Sequence, residues 1–157
     1  MSTFETMDSP VGPLFIGADA EGISHVAFMA SMDDLPAHLA TLERETGATP
    51  VRGGDACAEA VRQLEQYFAG ERASFDLPLA PRGSEWQRAV WMALRAIPHG
   101  QTASYGAIAG SLGRPTASRA VGAANGRNPI AIVVPCHRVV GADGTLTGYA
   151  GGLHRKE

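Results

Sequence analysis

The sequence has no apolar run approaching the roughly 20 residues that a membrane-spanning helix requires, so a helical membrane protein is excluded as a reading. Its first ten residues, MSTFETMDSP, lack the basic stretch and apolar core of a secretory signal, and the expected compartment is the cytoplasm. Cysteine is scarce. The two thiols, Cys57 and Cys136, allow at most one disulfide, which a chain of 157 residues with its own core does not need, so both are expected to be reduced. Charged residues make up only 18% against 45% hydrophobic, the balance of a soluble folded chain and not of a disordered or fibrous one. The length admits one compact domain or two small lobes.

The formal net charge of −3 argues against a nucleic-acid partner when taken as one number, but the charge is unevenly spread. Residues 1–81 carry four Arg against thirteen Asp and Glu, a balance of −9, whereas residues 82–157 carry nine Lys and Arg against three acids, a balance of +6. The second half has the charge to meet phosphates. The competing explanation is that the halves neutralise each other across an interface, and charge alone does not choose between the two.

Residues 4–30 alternate as short strands, FETMDS, PLFIGAD and ISHVAFM, separated by the turns PVGP and DAEG, which predicts an antiparallel meander. Residues 35–46 and 56–68 place apolar side chains at helical spacing; the second helix stops at Gly70 and holds Cys57 as a small helix residue. The stretch 76–83, with Pro78 and Pro81, continues neither pattern and falls where the charge changes sign. It is the expected linker, giving domains at 1–80 and 81–157. Beyond it, Ser84 can cap a helix over 85–97, with Trp86 and Trp91 as core residues, until Pro98 and Gly100 end it. Ser104 precedes a short helix over 105–112, Gly113-Arg114-Pro115 breaks it, and Thr116 is expected to cap another over 117–125. This is a helix-turn-helix pattern. Its second helix is small-sided: Ala117, Ser118, Ala120, Gly122, Ala123 and Ala124 surround one charged side chain, Arg119. Small residues suit close packing against another helix; with a single arginine among them they also suit a narrow DNA groove.

After Asn128-Pro129, the apolar run IAIVV predicts a strand buried on both faces, ended by Pro135. Cys136, His137 and Arg138 then emerge at the edge of a core. A thiolate is a nucleophile, a neighbouring histidine can take its proton, and an arginine favours the anionic form. Adjacent strand residues point to opposite faces, so proton transfer within this pair needs a bend at Pro135 or an intervening water. No further metal ligand lies near the pair at suitable spacing. A structural cysteine beside a surface histidine is the bland alternative.

The segment NPIAIVVPCHRVVGADGTLTGYAGG resembles the active-site block of the O6-alkylguanine-DNA alkyltransferases, and SEWQRAVWMALRAIPHGQTASYGAIA and RAVGAANGRNP extend the resemblance over about residues 83–156. The resemblance implies an α/β fold: a small N-terminal antiparallel sheet with helices, ribonuclease H-like, followed by a mainly helical C-terminal domain with a helix-turn-helix and an active-site strand. It implies direct-reversal DNA repair by a methylated-DNA-protein-cysteine S-methyltransferase. In that reaction the alkyl group of O6-methylguanine, and of O4-methylthymine, moves irreversibly to Cys136, once per molecule. Cys136 is the implied acceptor, and His137 takes its proton through a water. Tyr105 matches the tyrosine that helps rotate the nucleotide out of the duplex and contacts the base, and Arg119 the arginine that fills the gap in the stack. Thr116, Ala117, Ser118 and Gly122 share the DNA-facing helix with Arg119. Asn128 matches the asparagine that organises the helix-turn-helix against the active-site strand, and Val139, Tyr149 and Ala150 match positions lining the guanine pocket. The implied partner is double-stranded DNA with alkylated guanine, bound through the minor groove by a monomer, with cooperative assembly left open and no membrane involved. Metal-binding members of the family use an N-terminal zinc site; here the first half offers Cys57, His25 and His38 as plausible ligands, and neither metal nor cofactor is expected.

In the family a glutamate on a C-terminal helix completes the cysteine, water and histidine relay, and that position falls beyond Glu157, which matches an earlier surface position. Either the sequence is truncated there or the protein works without this carboxylate, and in the second case transfer is expected to be slower while DNA binding is kept. Two readings from other classes stand beside the transferase. One is a protein that flips alkylated bases and recruits other repair without chemistry, although relatives of that kind replace the cysteine. The other is a Cys-His hydrolase, for which nothing beside Cys136 resembles an oxyanion hole.

Overall fold

The computed structural model describes residues 2–97 and 101–135, together with the backbone of Val139 and Val140. The chain divides into two compact units, Met1–Pro81 and Arg82–Glu157.

In the first unit, β1 (Ser2–Met7), β2 (Leu14–Asp19) and β3 (Ile23–Phe28) form the expected antiparallel meander. A fourth strand, β4 (Val51–Arg52), joins β1 in parallel, giving the order β3-β2-β1-β4. The sheet is thus not purely antiparallel. Two residues are too few for a period-2 pattern to show in the sequence. Helix α1 (Leu35–Thr46) has proline in its first turn and ends at Gly47 in the left-handed conformation; α2 (Asp55–Phe68) follows β4. Phe4, Phe15, Met29 and Leu42 are buried together, with Leu35 and Leu39 of α1 packed against them. Each such side chain contributes about 1.5–3 kcal/mol when fully buried.

The stretch predicted as a linker is bound, over its first part, to the first unit. The buried Gln63 of α2 donates its Nε2 to the carbonyl of Asp76 at 2.9 Å and accepts from the Asp76 amide at 2.8 Å. Ile23 of β3 donates to Pro78 at 2.8 Å and accepts from Ala80 at 2.7 Å. This approach requires glycine at position 22: a Cβ there would lie 2.4 Å from the Pro78 carbonyl oxygen, at a φ of +153°.

Three residues weighed as metal ligands have other partners. Cys57 is buried in α2 with its Sγ 3.6 Å from the Thr3 hydroxyl; burial pushes the thiol pKa up, and the Thr3 contact offsets part of that rise. His25 lies 2.8 Å from Ser24 Oγ through Nδ1 and 2.8 Å from Glu45 through Nε2. His38 stacks on Phe15 with ring centres 5.1 Å apart. Among the described residues no group of three or more His, Cys, Asp or Glu is placed to hold a metal.

In the second unit, α3 (Glu85–Arg95) opens on a capping box in which Ser84 and Gln87 satisfy each other's backbone amides. It stops two residues short of the predicted end because Ala96 and Ile97 fold into tighter turns, donating to Ala93 and Leu94. Helices α4 (Tyr105–Ser111) and α5 (Ser118–Gly126) follow, and β5 (Ala103–Ser104) pairs in parallel with β6 (Val139–Val140).

Candidate nucleic-acid interface and reactive segment

The α4–α5 pair is built from short-range signals. Ser104 caps α4 by accepting from the Ala107 amide at 3.0 Å. The helix ends where Gly113 takes the left-handed conformation at φ +74°, and the Gly113 and Arg114 amides donate back to Gly110 and Ala109 at 3.0 and 2.9 Å. The start of α5 differs from the sequence expectation. Its cap is Ala117, with no side-chain hydrogen bond, and Thr116 is an exposed turn residue. The Ala117 amide closes a turn onto Arg114 at 2.9 Å, so the helix begins at Ser118 without hydroxyl capping.

The two faces of α5 have different tasks. Val121, Ala124 and Asn125 are buried. On this side α3 docks through two indoles: Trp91 Nε1 donates to the Ala124 carbonyl at 2.9 Å, and Trp86 Nε1 to the Ala120 carbonyl at 3.3 Å. Trp91 is 2% exposed, as a core residue should be. Gly83 lies flat against it, since a Cβ at that position would come within 2.6 Å of the indole. The opposite side of α5 is open. Among the described residues, nothing lies within 4 Å of a Cβ built on Gly122. The glycine is therefore not demanded by helix-helix packing, and it leaves the surface flat.

That open side forms a cavity of about 320 Å³ lined by Tyr105, Gly106, Ser118, Arg119 and Gly122. Four residues singled out from sequence thus meet at one surface: Tyr105 at the start of α4, and Ser118, Arg119 and Gly122 along α5. Thr116 and Ala117 lie in the preceding turn and are not among the lining residues. Gly106 was not singled out from the sequence. The available signal was a glycine in the first turn of a helix, where alanine is favoured by about 1 kcal/mol. The charge is predominantly positive: the described part of this unit holds Arg82, Arg88, Arg95, Arg114, Arg119 and Arg127 against Glu85.

Beyond α5, the Asn128 side chain brackets residues 130–134, which lead to Cys136. Its Oδ1 accepts from the Ile130 amide at 3.0 Å, and its Nδ2 donates to Val134 at 2.8 Å and to Ile130 at 3.4 Å. The strand predicted over 130–134 is absent, although the residues are buried as expected. They form overlapping turns, with Val134 donating to Ile130 at 3.0 Å and Val133 to Ala131 at 2.8 Å. The second of these is a γ-turn centred on Ile132 at φ +71°, a conformation that β-branched residues rarely adopt. The physical reason is local competition: the Asn128 side chain supplies hydrogen bonds that a ladder would otherwise provide. Val139 lies on β6 opposite Ala103. Cys136, His137, Tyr149 and Ala150 lie outside the described residues.

A small α/β unit joined to a cationic unit with a surface helix-turn-helix defines a two-part DNA-binding protein. The family described as 6-O-methylguanine DNA methyltransferase, ribonuclease-like domain, matches residues 3–81, and its counterpart described as the DNA binding domain matches residues 85–157. The chain belongs to this methyltransferase family. A methylated-DNA-protein-cysteine methyltransferase of Methanosarcina acetivorans is 51% identical over 98% of this chain and 93% of that protein. One of Mycobacterium tuberculosis is 47% identical over 99% of this chain and 88% of its own length. Among solved structures, Mycobacterium tuberculosis OGT in complex with DNA superposes with a TM-score of 0.82 at 44% identity, covering 98% of this chain and 88% of that one. The O6-methylguanine-DNA methyltransferase of Pyrococcus kodakaraensis gives 0.70 at 26% identity, covering 99% and 95%.

Proposed function

We propose that this protein repairs alkylated DNA by moving the alkyl group from O6 of guanine to its own Cys136, once per molecule. Family membership over both units supports the reaction class. The observation that carries the reading for this chain is the α4–α5 cavity, which brings Tyr105, Ser118, Arg119 and Gly122 to one open cationic surface.

An O6-alkyl group sits inside a base pair, so the nucleotide must leave the stack before sulfur can reach it, and a damaged pair costs less to open. Arg119 is exposed and takes the space left by the flipped nucleotide. The flat face around Gly122 lets α5 approach a narrow groove. The Tyr105 hydroxyl donates toward N3 of the extruded guanine, which makes the base a better leaving group. His137, through a water, takes the Cys136 proton, and the thiolate attacks the alkyl carbon. One S–C bond forms, the C–O bond breaks, and the electron pair leaves with guanine. The resulting thioether has no easy route back to the thiol. Asn128 holds the loop that delivers Cys136, and Val139, Tyr149 and Ala150 line the base pocket. O4-methylthymine is a second substrate in this reading, and the protein acts as a cytoplasmic monomer.

The test is loss of O6-methylguanine from a duplex with the protein limiting. The expected result is one lesion removed per molecule and none by Cys136→Ser. Removal of many lesions per molecule would contradict a stoichiometric acceptor.

A further inference from the structure

The turn between α4 and α5 carries a cation with an unusual support. The Arg114 guanidinium carbon lies 5.2 Å from the centre of the Trp86 ring, over its face. Trp86 is itself fixed: it stands in the capped first turn of α3, and its indole N–H donates to Ala120 on α5 at 3.3 Å. The Arg114 backbone is held on both sides, donating to Ala109 and accepting from the Ala117 amide, each at 2.9 Å. Among the described residues no carboxylate pairs with it, and the described part of this unit holds a single acid, Glu85.

A cation–π contact uses none of the guanidinium's conventional hydrogen bonds, so its N–H donors remain available to an acceptor. The contact biases the Arg114 side chain toward one pose. A planar donor fork matches a phosphate through two hydrogen bonds. Arg114 precedes α5, whose Arg119 lines the open cavity, so a duplex lying on that face brings its backbone past the turn.

We propose that Arg114, preset by Trp86, is a DNA-phosphate clamp that fixes the register of the duplex on the α4–α5 face. This rests on the DNA-repair reading above and adds a contact that positions the duplex without reading its bases. The partner chemistry is the phosphodiester backbone, indifferent to sequence and to the lesion.

The experiment measures affinity of the full chain for a lesion-bearing duplex and its undamaged counterpart across a potassium chloride series. Arg114→Ala is expected to weaken both by the same factor and to lower the slope of log affinity against log salt by about 1. Trp86→Phe, which keeps an aromatic face, retains the slope, whereas Trp86→Leu lowers it; thermal unfolding of each variant shows that the fold persists. An unchanged slope in Arg114→Ala overturns the clamp, as does a loss confined to the lesion duplex, which would make Arg114 a reader of the damage. Absence of salt-dependent binding by the unmodified protein would instead overturn the DNA-repair reading itself.

Discussion

The Asn128 amide nitrogen donates to the Val134 carbonyl at 2.8 Å, tying the chain just beyond α5 to the residue two before Cys136. Together with the bond from the Ile130 amide to Asn128 Oδ1 at 3.0 Å, it encloses the γ-turn at Ile132. One side chain thus ties the chain just beyond the cavity helix to residues 130–134, which lead to Cys136.

Asn128→Ala should therefore do more than lower stability. Loss of the bracket is expected to cost about 2 kcal/mol, since buried backbone groups lose their partners. It should also slow methyl transfer at saturating DNA while duplex affinity is kept. Urea unfolding and single-turnover rates check both parts, and an unchanged rate would reduce Asn128 to a structural role.

This bracket also marks where sequence reasoning reached its limit. The α1 helix, the meander and the turn after α4 were legible because each rests on a local signal: Leu35–Thr46 on apolar spacing, α4 on Ser104 and Gly113. Residues 130–134 were not, because a short buried apolar run looks the same whether it is ladder or loop. The deciding hydrogen bonds come from a side chain outside the run. The Thr116 cap failed for a related reason: Ala117 closes onto Arg114, and the hydroxyl one residue earlier stays in the turn. In the site, Arg119 stood out as the one charge on a small-sided helix, Tyr105 was identified by resemblance, and the cavity that unites them needed the fold.

Asn125 gives a prediction of the opposite sign. Asn125 is 2% exposed, and among the described residues neither its Nδ2 nor its Oδ1 has a hydrogen-bond partner. An unpaired buried amide costs about 1–3 kcal/mol. Asn125→Leu, similar in volume, is expected to raise the thermal midpoint; a fall would show that the amide is engaged.

Gly22→Ala is expected to destabilise the first unit by about 2 kcal/mol or more, because the added methyl meets the Pro78 carbonyl at 2.4 Å and the backbone is at φ +153°. Denaturant unfolding followed on the first unit's tyrosine or phenylalanine signals reads this. Tolerance would mean that the 76–80 stretch detaches at little cost.

His38 sets a pH dependence. Burial lowers its pKa below the ordinary 6.5, and the nearby Asp34 carboxylate opposes that only in part. The unfolded chain therefore binds this proton more readily than the folded one. The associated stability is present above the unfolded value and is lost as pH falls from there toward the lower folded value. Between about pH 7.5 and pH 5.5, His38→Gln should lose less stability than the unmodified protein. Equal losses would show that His38 does not carry the effect.

The most direct test of the central claim uses the two thiols against each other. Cys57 is buried, hydrogen-bonded and raised in pKa, so it should accept nothing while the protein is folded. After incubation with excess duplex carrying O6-methylguanine, peptide masses should show one methyl group on the Cys136 peptide and none on the Cys57 peptide. Tight lesion binding with both peptides unmodified would contradict the account and make the protein a sensor of damage.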